Sequence, residues 1–370
     1  MNKVKNNNSY KIFNDQKNNY GRKEFQSIDL KNKSIKRILI IKWGGMGDVI
    51  ISTAIIEDIL ESFPNVKVDI NTLPQWQIIF KNHLGINNVW GSNNKKGLNT
   101  FIHLYKWIKA VKTGNYDLII DLQTNDRSRI YLSILKLLSN NTKYIIGNHA
   151  IKPYSIVPKS RIKIINPFQI MQRTINSIGI KSNTFSPKIY TSKNDSIASK
   201  IILKDNYLKK NNFVVLICGS NIRGKRKRWG TKNFSTLAGL IKKKLKYKSV
   251  LIGSPDDMSE CLSILNNDNT IINLCNKTNL IELIEIFSSA KFIISNDTGT
   301  AHLASSTKTP MIVITGPTDP KKVKPAGKKI LALQANLKDR DKCYLKTCSH
   351  SSCMDGVTPA DILDNINKIL

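Results

Sequence analysis

The stretch Ser295-Asn-Asp-Thr-Gly-Thr-Ala-His302 lies between two short apolar runs, each typical of a buried β-strand. It therefore predicts the end of one strand and the start of a helix, where unpaired backbone N–H groups and a partial positive charge accumulate. Such a helix start can bind a phosphate or diphosphate. Ordinary helix capping explains Asp297 or Thr298 equally well. Capping does not explain His302, which lies about one turn inside the predicted helix.

Strand and helix patterns alternate on both sides of this motif. In the first half of the chain, apolar strands are predicted at residues 38–41, 66–70, 117–121 and 144–146. In the second half they are predicted at residues 213–217 and 249–253 and on either side of the motif. Alternation of this kind indicates α/β folding with doubly wound parallel sheets. Two successive sheets predict two Rossmann-like domains with a ligand cleft between them.

Changes in composition suggest four segments. We expect a basic, mostly disordered tail over residues 1–35 and an N-terminal domain over residues 36–185. A C-terminal domain is expected over residues 186–345. A cysteine-containing loop and a closing helix follow over residues 346–370.

Charge and hydropathy limit the class of protein. The net charge is +32, which would attract nucleic acid or an anionic membrane surface. Because the lysines are spread along the whole chain, general use of Lys and Asn or a broad basic face explains them better than a nucleic-acid module. No apolar run approaches the ~20 residues of a membrane span, and the first residues lack the apolar core of a secretory signal. We therefore expect a cytoplasmic protein with no nucleic-acid partner.

The six cysteines fall into two groups. Three lie in or near apolar segments and are predicted to be core residues: Cys218, Cys261 and Cys275. Three more form a cluster with His350: Cys343, Cys348 and Cys353. Zinc binding by this cluster is conceivable, but the spacings are not the paired type, and a reduced structural loop is the favoured interpretation.

A glycine-rich turn, Gly44-Gly-Met-Gly47, follows the first predicted strand. Glycines at a strand–helix junction let a ligand approach the backbone closely. A dinucleotide fingerprint needs a third glycine where this chain has Ile50, which argues against an NAD-dependent oxidoreductase. Asp48 directly follows the turn and is a candidate general base, with an N-cap as the alternative.

A second loop, Gly219-Ser-Asn-Ile-Arg-Gly-Lys-Arg-Lys-Arg-Trp229, follows the first strand of the second sheet. Small residues followed by five basic side chains are typical of a diphosphate clamp. Lys225 and Arg226 are better explained as solvated surface charges.

Five motifs in this order resemble family 9 glycosyltransferases, the bacterial heptosyltransferases of lipopolysaccharide synthesis. They are Gly44-Gly-Met-Gly-Asp48, Tyr116-Asp-Leu-Ile-Ile-Asp-Leu-Gln123, Lys227-Arg-Trp229, Asp297 to His302 and Gly316-Pro-Thr-Asp-Pro320. The resemblance covers about residues 36–370. It implies a GT-B fold, in which the N-terminal domain binds the acceptor and the C-terminal domain binds the nucleotide-sugar donor.

The resemblance also implies an activity. Such an enzyme is an inverting, metal-independent glycosyltransferase without a cofactor. It would move a heptose or related sugar from a nucleotide donor, expected to be ADP-heptose, to a lipopolysaccharide-core or other glycan acceptor. A cationic surface would hold the enzyme at the inner face of the inner membrane, near an anionic lipid-linked acceptor.

Mapped residue by residue, the resemblance makes Asp48 the catalytic base and Lys227 the cation that neutralises the departing diphosphate. Six residues are assigned to the donor diphosphate and sugar: Ser220, Asn221, Asp297, Thr298, Gly299 and His302. Four are assigned to the acceptor-side loop: Gly44, Gly45, Gly47 and Gln123.

Three alternatives and one departure stay open at this point. Besides the oxidoreductase, a GT-B-fold sugar-nucleotide epimerase and a non-catalytic GT-B-like binding protein would carry similar motifs. The departure is Asn276, which stands where the family usually has glycine, so the nucleotide base of the donor is open. Asp339-Arg-Asp341 has the spacing of a metal-binding motif but lies in a late polar segment, where it is incidental.

Overall fold

The computed structural model describes residues 10–13, 28–92, 99–123, 125–139, 141–148, 152–158, 166–220, 222–337 and 352–370. The chain divides into two compact units. The N-terminal unit is Asn19–Tyr190, and the C-terminal unit is Thr191–Leu370 together with Met1–Asn18. The division lies close to the boundary expected at residue 185.

The N-terminal unit is a five-stranded parallel sheet flanked by helices. Elements are numbered in chain order, so β1 (Tyr10–Phe13) belongs to the other unit. The strands are β2 (Arg37–Lys42), β3 (Lys67–Thr72), β4 (Asn88–Gly91), β5 (Leu118–Asp121) and β6 (Tyr144–Ile146). The helices are α1 (Met46–Ser62), α2 (Asn99–Gly114), α3 (Asp126–Leu138) and α4 (Pro167–Asn176).

The strand order in this unit is β4-β3-β2-β5-β6. The central strand β2 is an unbroken apolar run whose side chains are buried, as expected for a parallel sheet covered on both faces. The chain winds outward from β2 first on one side and then on the other. The carboxyl ends of β2 and β5 therefore form a topological switch point, the place where open α/β sheets bind their ligands.

The C-terminal unit is a seven-stranded sheet in the order β1-β12-β11-β10-β7-β8-β9. Its further strands are β7 (Phe213–Ile217), β8 (Lys248–Ile252), β9 (Ile272–Asn273), β10 (Ile293–Asn296), β11 (Met311–Ile314) and β12 (Ile330–Ala335). Its helices are α5 (Lys193–Asp205), α6 (Thr231–Leu240), α7 (Met258–Leu265), α8 (Glu282–Ser289), α9 (Gly299–Ala304), α10 (Pro320–Val323), α11 (Ser352–Asp355) and α12 (Pro359–Ile366). All the strands except β1 run parallel, and the switch point lies between β7 and β10.

The cysteines of the apolar segments are core residues, as predicted. Cys218, Cys261 and Cys275 are buried, and so is Cys353. Burial raises the pKa of the Cys275 thiol to about 12, so this side chain stays neutral and apolar in character. The other residues of the proposed zinc cluster, Cys343, Cys348 and His350, lie outside the described residues.

The expectation of a disordered tail over residues 1–35 is wrong for two parts of it. β1 pairs antiparallel with the edge strand β12, and Asn365 Nδ2 donates to Tyr10 Oη at 2.7 Å. Leu30 is buried, and its N–H donates to the carbonyl of Ile178 at 3.2 Å. Both segments are ordered by partners distant in sequence, and a four-residue strand has too few positions to show a pattern of its own. The rest of the tail lies outside the described residues.

Among the helices that the structure describes, none combines the length and the apolar content that crossing a bilayer requires.

Candidate active site

The glycine turn after β2 brings together Gly44, Asp48 and Gln123. A Cβ atom on Gly44 would lie 2.9 Å from the Asp48 Cβ and 3.4 Å from Gln123 Oε1, so only glycine fits between these side chains. Helix α1 begins at Met46 and its N-cap residue is Gly45. Asp48 therefore lies inside the first helical turn, and the alternative that it is the N-cap is wrong.

Gln123 is held in place by hydrogen bonds to residues at the ends of β2 and β5. Its Oε1 accepts from the Trp43 N–H at 2.9 Å, and its own N–H donates to Asp121 Oδ1 at 2.9 Å. The fully buried Asp121 also accepts from Ser128 Oγ at 2.7 Å and from Tyr154 Oη at 2.6 Å. Burial and the Asp121 charge raise the pKa of Tyr154, so its phenol keeps its proton and donates. These bonds fix the loop after β5 beside the loop after β2.

The Asp48 carboxylate is half-buried, and no residue in the described part of the chain donates a hydrogen bond to it. A buried lysine lies nearby. Lys42 is 4% exposed, and its Nζ donates to the Leu122 carbonyl at 3.0 Å. Burial lowers the pKa of Lys42, while the charges of Asp48 and Asp121 act in the opposite direction. Asp48 is thus a carboxylate near a buried lysine that accepts no hydrogen bond from the described residues, and such a carboxylate can accept a substrate proton.

Lys42 had no assigned role in the sequence-based interpretation. The signal for it was present, because a lysine at the end of an otherwise apolar strand is buried only when anions or carbonyl groups face it.

At the switch point of the C-terminal unit, Lys227 meets the motif at the start of α9. Its Nζ lies 2.8 Å from Asp297 Oδ2, and Thr318 Oγ1 donates to the same oxygen at 2.7 Å. The Asp297 side chain is 6% exposed and that of Lys227 30%. Thr298 is the N-cap residue of α9 but makes no side-chain capping bond. Gly299 is the first helical residue, and His302 lies on the same short helix, half-buried.

Asn296 ties this motif to the basic loop. Its Nδ2 donates to the Cys218 carbonyl at 2.6 Å, and its Oδ1 accepts from the Trp229 N–H at 3.1 Å. Trp229 is buried, and its Nε1 donates to the Val357 carbonyl at 2.6 Å. The contact fixes the loop that carries Lys227. Asn296 was not predicted as a site residue, although a buried asparagine ending an apolar strand requires partners of this kind.

The loop of residues 316–320 positions Thr318 for its hydrogen bond to Asp297. Gln334 Nε2 donates to the Gly316 and Thr318 carbonyls, each at 2.8 Å. Asp319 caps α10 by accepting from the Lys321 N–H at 3.0 Å. Residues 316–318 form a bend where the sequence predicts a turn.

The basic loop differs from the expected clamp. Arg228 donates to the Ser220 carbonyl at 2.8 Å and to Asp257 Oδ1 at 2.9 Å, and it also pairs with Glu260. Its guanidinium is therefore committed inside the unit, and the expectation of five clamping side chains is wrong for Arg228. The Ser220 hydroxyl is likewise engaged, donating to the Gly224 carbonyl at 2.7 Å.

The other residues predicted in the basic loop have different outcomes. Lys225 and Arg226 are exposed, as predicted. Asn221 lies outside the described residues. Of the expected donor-side residues, Lys227 contacts Asp297. Thr298 and Gly299 directly follow Asp297 in the chain, at the start of α9.

Comparison with known proteins gives the family. The model of glycosyltransferase family 9 (heptosyltransferase) matches residues 104–353, more than half of the chain. Lipopolysaccharide heptosyltransferase 3 of Escherichia coli K12 is 26% identical over 287 residues, which cover 74% of this chain and 80% of that protein.

Two solved structures show the same fold. A family 9 glycosyl transferase from Veillonella parvula superposes with a TM-score of 0.79 at 17% identity, covering 93% of this chain and 98% of that one. The Escherichia coli ADP-heptose lipopolysaccharide heptosyltransferase II gives a TM-score of 0.69 at 18% identity, covering 90% and 98%. The prediction of a GT-B fold with two Rossmann-like units is confirmed. The chain therefore belongs to glycosyltransferase family 9 and is a glycosyltransferase.

Proposed function

We propose that this glycosyltransferase transfers a heptose, or a closely related sugar, from ADP-heptose to a glycan acceptor of the lipopolysaccharide-core type. The names of its relatives support this donor and this acceptor. The observation that carries the chemistry is the uncommitted Asp48 carboxylate at the switch point of the N-terminal unit. Gly44 gives it room, and the buried Lys42 side chain lies nearby.

We assign Asp48 the role of general base. It removes the proton from an acceptor hydroxyl while that oxygen attacks the anomeric carbon of the donor sugar. The new C–O bond forms as the bond between the anomeric carbon and the diphosphate oxygen breaks. The electron pair of the broken bond leaves with the nucleoside diphosphate. A single displacement of this kind inverts the anomeric configuration.

The leaving group gains negative charge, and Lys227 is the residue proposed to neutralise it. Asp297, which also accepts from Thr318, holds the Lys227 side chain next to the start of α9, so the cation is preorganised. The N–H groups after Thr298 add a partial positive charge at the same place. We propose metal-independent transfer because the lysine and the helix start supply positive charge where it is needed.

The other donor-side residues are assigned by their position on the same two loops. Ser220 and Asn221 belong to the loop after β7, while His302 follows Gly299 on α9. The Ser220 hydroxyl donates within its own loop, so the assignment of Ser220 to the donor site is based on its place in that loop and not on its hydroxyl. On the acceptor side, Gly45 and Gly47 belong to the same glycine-rich turn as Gly44, next to Gln123.

The test is an incubation of the purified protein with ADP-heptose and a heptose-acceptor oligosaccharide. We expect ADP release to equal glycoside formation, and we expect the product linkage to have the configuration opposite to that of the donor by nuclear magnetic resonance. Retention of configuration would contradict single displacement. Conversion of the donor without any acceptor would indicate an epimerase instead.

The donor is tested separately by thermal unfolding with a panel of sugar nucleotides. Stabilisation by ADP-heptose should exceed that by uridine or guanosine sugar nucleotides, because at equal concentration the ligand that binds the folded protein more tightly stabilises it more. An equal or larger shift with another sugar nucleotide would change the assigned nucleobase of the donor. The roles of Asp48 and Lys227 would stay as assigned.

A further inference from the structure

Helix α2 of the N-terminal unit presents large apolar side chains to solvent. Phe101 is 75% exposed, Ile102 is 53% exposed and Tyr105 is 68% exposed. Helical spacing places all three on one side of the first half of α2. The other side packs into the core through Trp107, Ile108 and Val111. Trp107 Nε1 also donates to Asn71 Oδ1 at 2.7 Å, so the helix is firmly seated, while its outer face is exposed among the described residues.

Three exposed lysines continue the same face: Lys106, Lys109 and Lys112. Lys106 and Lys109 come one turn after Ile102 and Tyr105, so they project from the same side. The segment Asn99–Gly114 contains no Asp or Glu. The outer face of α2 is therefore apolar in its first half, and all the charged residues of its second half are cationic.

Neighbouring elements extend this surface at its cationic end. Lys112 Nζ donates to the Leu138 carbonyl at 3.3 Å, which places the end of α3 beside α2. Leu137 and Leu138 are 85% and 59% exposed.

A groove of about 610 Å³ opens beside Lys106 and Lys109, and Arg37 also lines it. The groove contains one carboxylate, Asp69, which is engaged by Arg37 at 3.0 Å and by Tyr116 Oη at 2.7 Å. The net charge of the groove is therefore positive, which suits a phosphate-bearing headgroup.

We propose that the outer face of α2, defined as Phe101, Ile102, Tyr105, Lys106, Lys109 and Lys112, docks on an anionic lipid bilayer. Aromatic and aliphatic side chains next to lysines are the composition of helices that lie in a membrane interface. The lysine stems pass along apolar surface while their ammonium groups reach the lipid phosphates.

Charge decides against the other occupants. A second copy of this chain packed about a two-fold axis would bring two sets of the three lysines together without an acidic partner on the helix. A nucleic acid would use the lysines but would not bury Ile102. The inference goes beyond the proposed function, since it does not depend on which sugar is transferred.

The test is co-sedimentation of the full chain with vesicles. We compare vesicles of phosphatidylcholine alone with vesicles that also contain phosphatidylglycerol, at low and at high salt. We expect binding only to the anionic vesicles and weaker binding at high salt. Changing Lys106, Lys109 and Lys112 to Gln should weaken the partition coefficient by about tenfold or more. Changing Phe101, Ile102 and Tyr105 to Ser should weaken it by a similar factor, because buried apolar area also contributes.

Helix α5 supplies a matched control. Lys193, Lys200 and Lys204 are also exposed lysines on one helix, so changing them to Gln removes the same charge elsewhere. Ile197 and Ile201, 56% and 53% exposed, provide apolar controls. We expect these variants to bind vesicles within about twofold of the wild type. Circular dichroism melts confirm that each variant is folded.

Several outcomes would overturn the proposal. Equal losses in the α2 and α5 lysine variants would mean that only the total charge matters. Unchanged binding of the serine variant, or no binding by the wild type, would remove α2 as the docking element. A dimer in light scattering that the serine variant abolishes would identify this face as a subunit contact. Because the vesicles contain neither donor nor glycan acceptor, none of these results bears on sugar transfer.

Discussion

Each of the two sheets places a carboxylate at its topological switch point, and the two carboxylates have different surroundings. Asp48 accepts no hydrogen bond from the residues that the structure describes and lies near the buried Lys42. Asp297 accepts two hydrogen bonds on one oxygen, from Lys227 and Thr318. Position after a parallel strand selects where a ligand binds, whereas the donors around a carboxylate decide whether it is free to take up a proton.

The largest effect is expected for Asp48→Asn, which removes the base but keeps the size of the side chain. We expect kcat to fall by about 10²- to 10⁴-fold at saturating donor and acceptor. Glu61→Gln is the control, because Glu61 is an exposed acid on the same helix α1. If kcat of Asp48→Asn were close to that of Glu61→Gln, Asp48 would not be the base, and the contrast drawn between Asp48 and Asp297 would be lost.

Lys227→Gln tests the other member of the comparison. The variant loses the cation that Asp297 holds at the start of α9, so kcat/KM for the donor should fall by about 10²- to 10³-fold. The matched control is Lys225→Gln, an exposed lysine of the same loop. Steady-state kinetics would count against the assignment if both substitutions had equal effects.

Gly44→Ala sharpens the comparison by moving the base without removing it. The added Cβ would meet the Asp48 Cβ at 2.9 Å, so the carboxylate or the turn must shift. We expect kcat to fall by up to about 10²-fold, as small displacements of catalytic groups can cause. Gly239→Ala on α6 is the control, because a Cβ at Gly239 meets nothing within 4 Å and the residue lies outside the candidate site. If initial rates show that the two variants are equally active, the position of Asp48 is not critical.

The smallest effect concerns Lys42 and the pH dependence of stability. Its pKa in the folded protein is lowered from 10.5, chiefly by burial, so the unfolded chain binds more protons above the folded pKa. The contribution of Lys42 to the free energy of unfolding therefore rises with pH from the folded pKa towards 10.5.

The check is urea unfolding of the wild type and Lys42→Met across the alkaline range. We expect the difference in unfolding free energy to change in favour of the wild type as the pH rises. Asp48 raises the pKa of Lys42 and so opposes the effect of burial. In the Asp48→Asn background the pKa of Lys42 should therefore be lower, and the pH-dependent rise in stability should begin at lower pH. A pH-independent difference would place Lys42 outside the electrostatic environment described for Asp48.

Local patterns predicted the parts of the fold that depend on local sequence. The apolar runs that became β2, β5, β7 and β10 are buried on both faces, so composition alone marks them. Because the ends of parallel strands collect at one edge, the motifs after these strands could be placed at the two switch points. β4 and α2 were not predicted, since one is very short and the other carries exposed apolar residues that blur its periodicity.

Partners distant in sequence account for what could not be predicted. Arg228 looked like part of a phosphate clamp, but it pairs with Asp257 and Glu260, which lie 29 and 32 residues further along the chain at the start of α7. β1 needed the edge of β12, and the commitment of Asp297 needed Thr318. In each case the residue type was informative, whereas its role depended on a contact that only the fold supplies.

Titration calorimetry of the donor tests the division of labour between the two carboxylate sites most directly. ADP-heptose is titrated into the wild type, Asp48→Asn and Lys227→Gln. We predict that Asp48→Asn binds the donor within about twofold of the wild type, while Lys227→Gln binds it about tenfold more weakly or worse. Loss of donor binding in Asp48→Asn together with unchanged binding in Lys227→Gln would contradict the assignment of base and leaving-group sites.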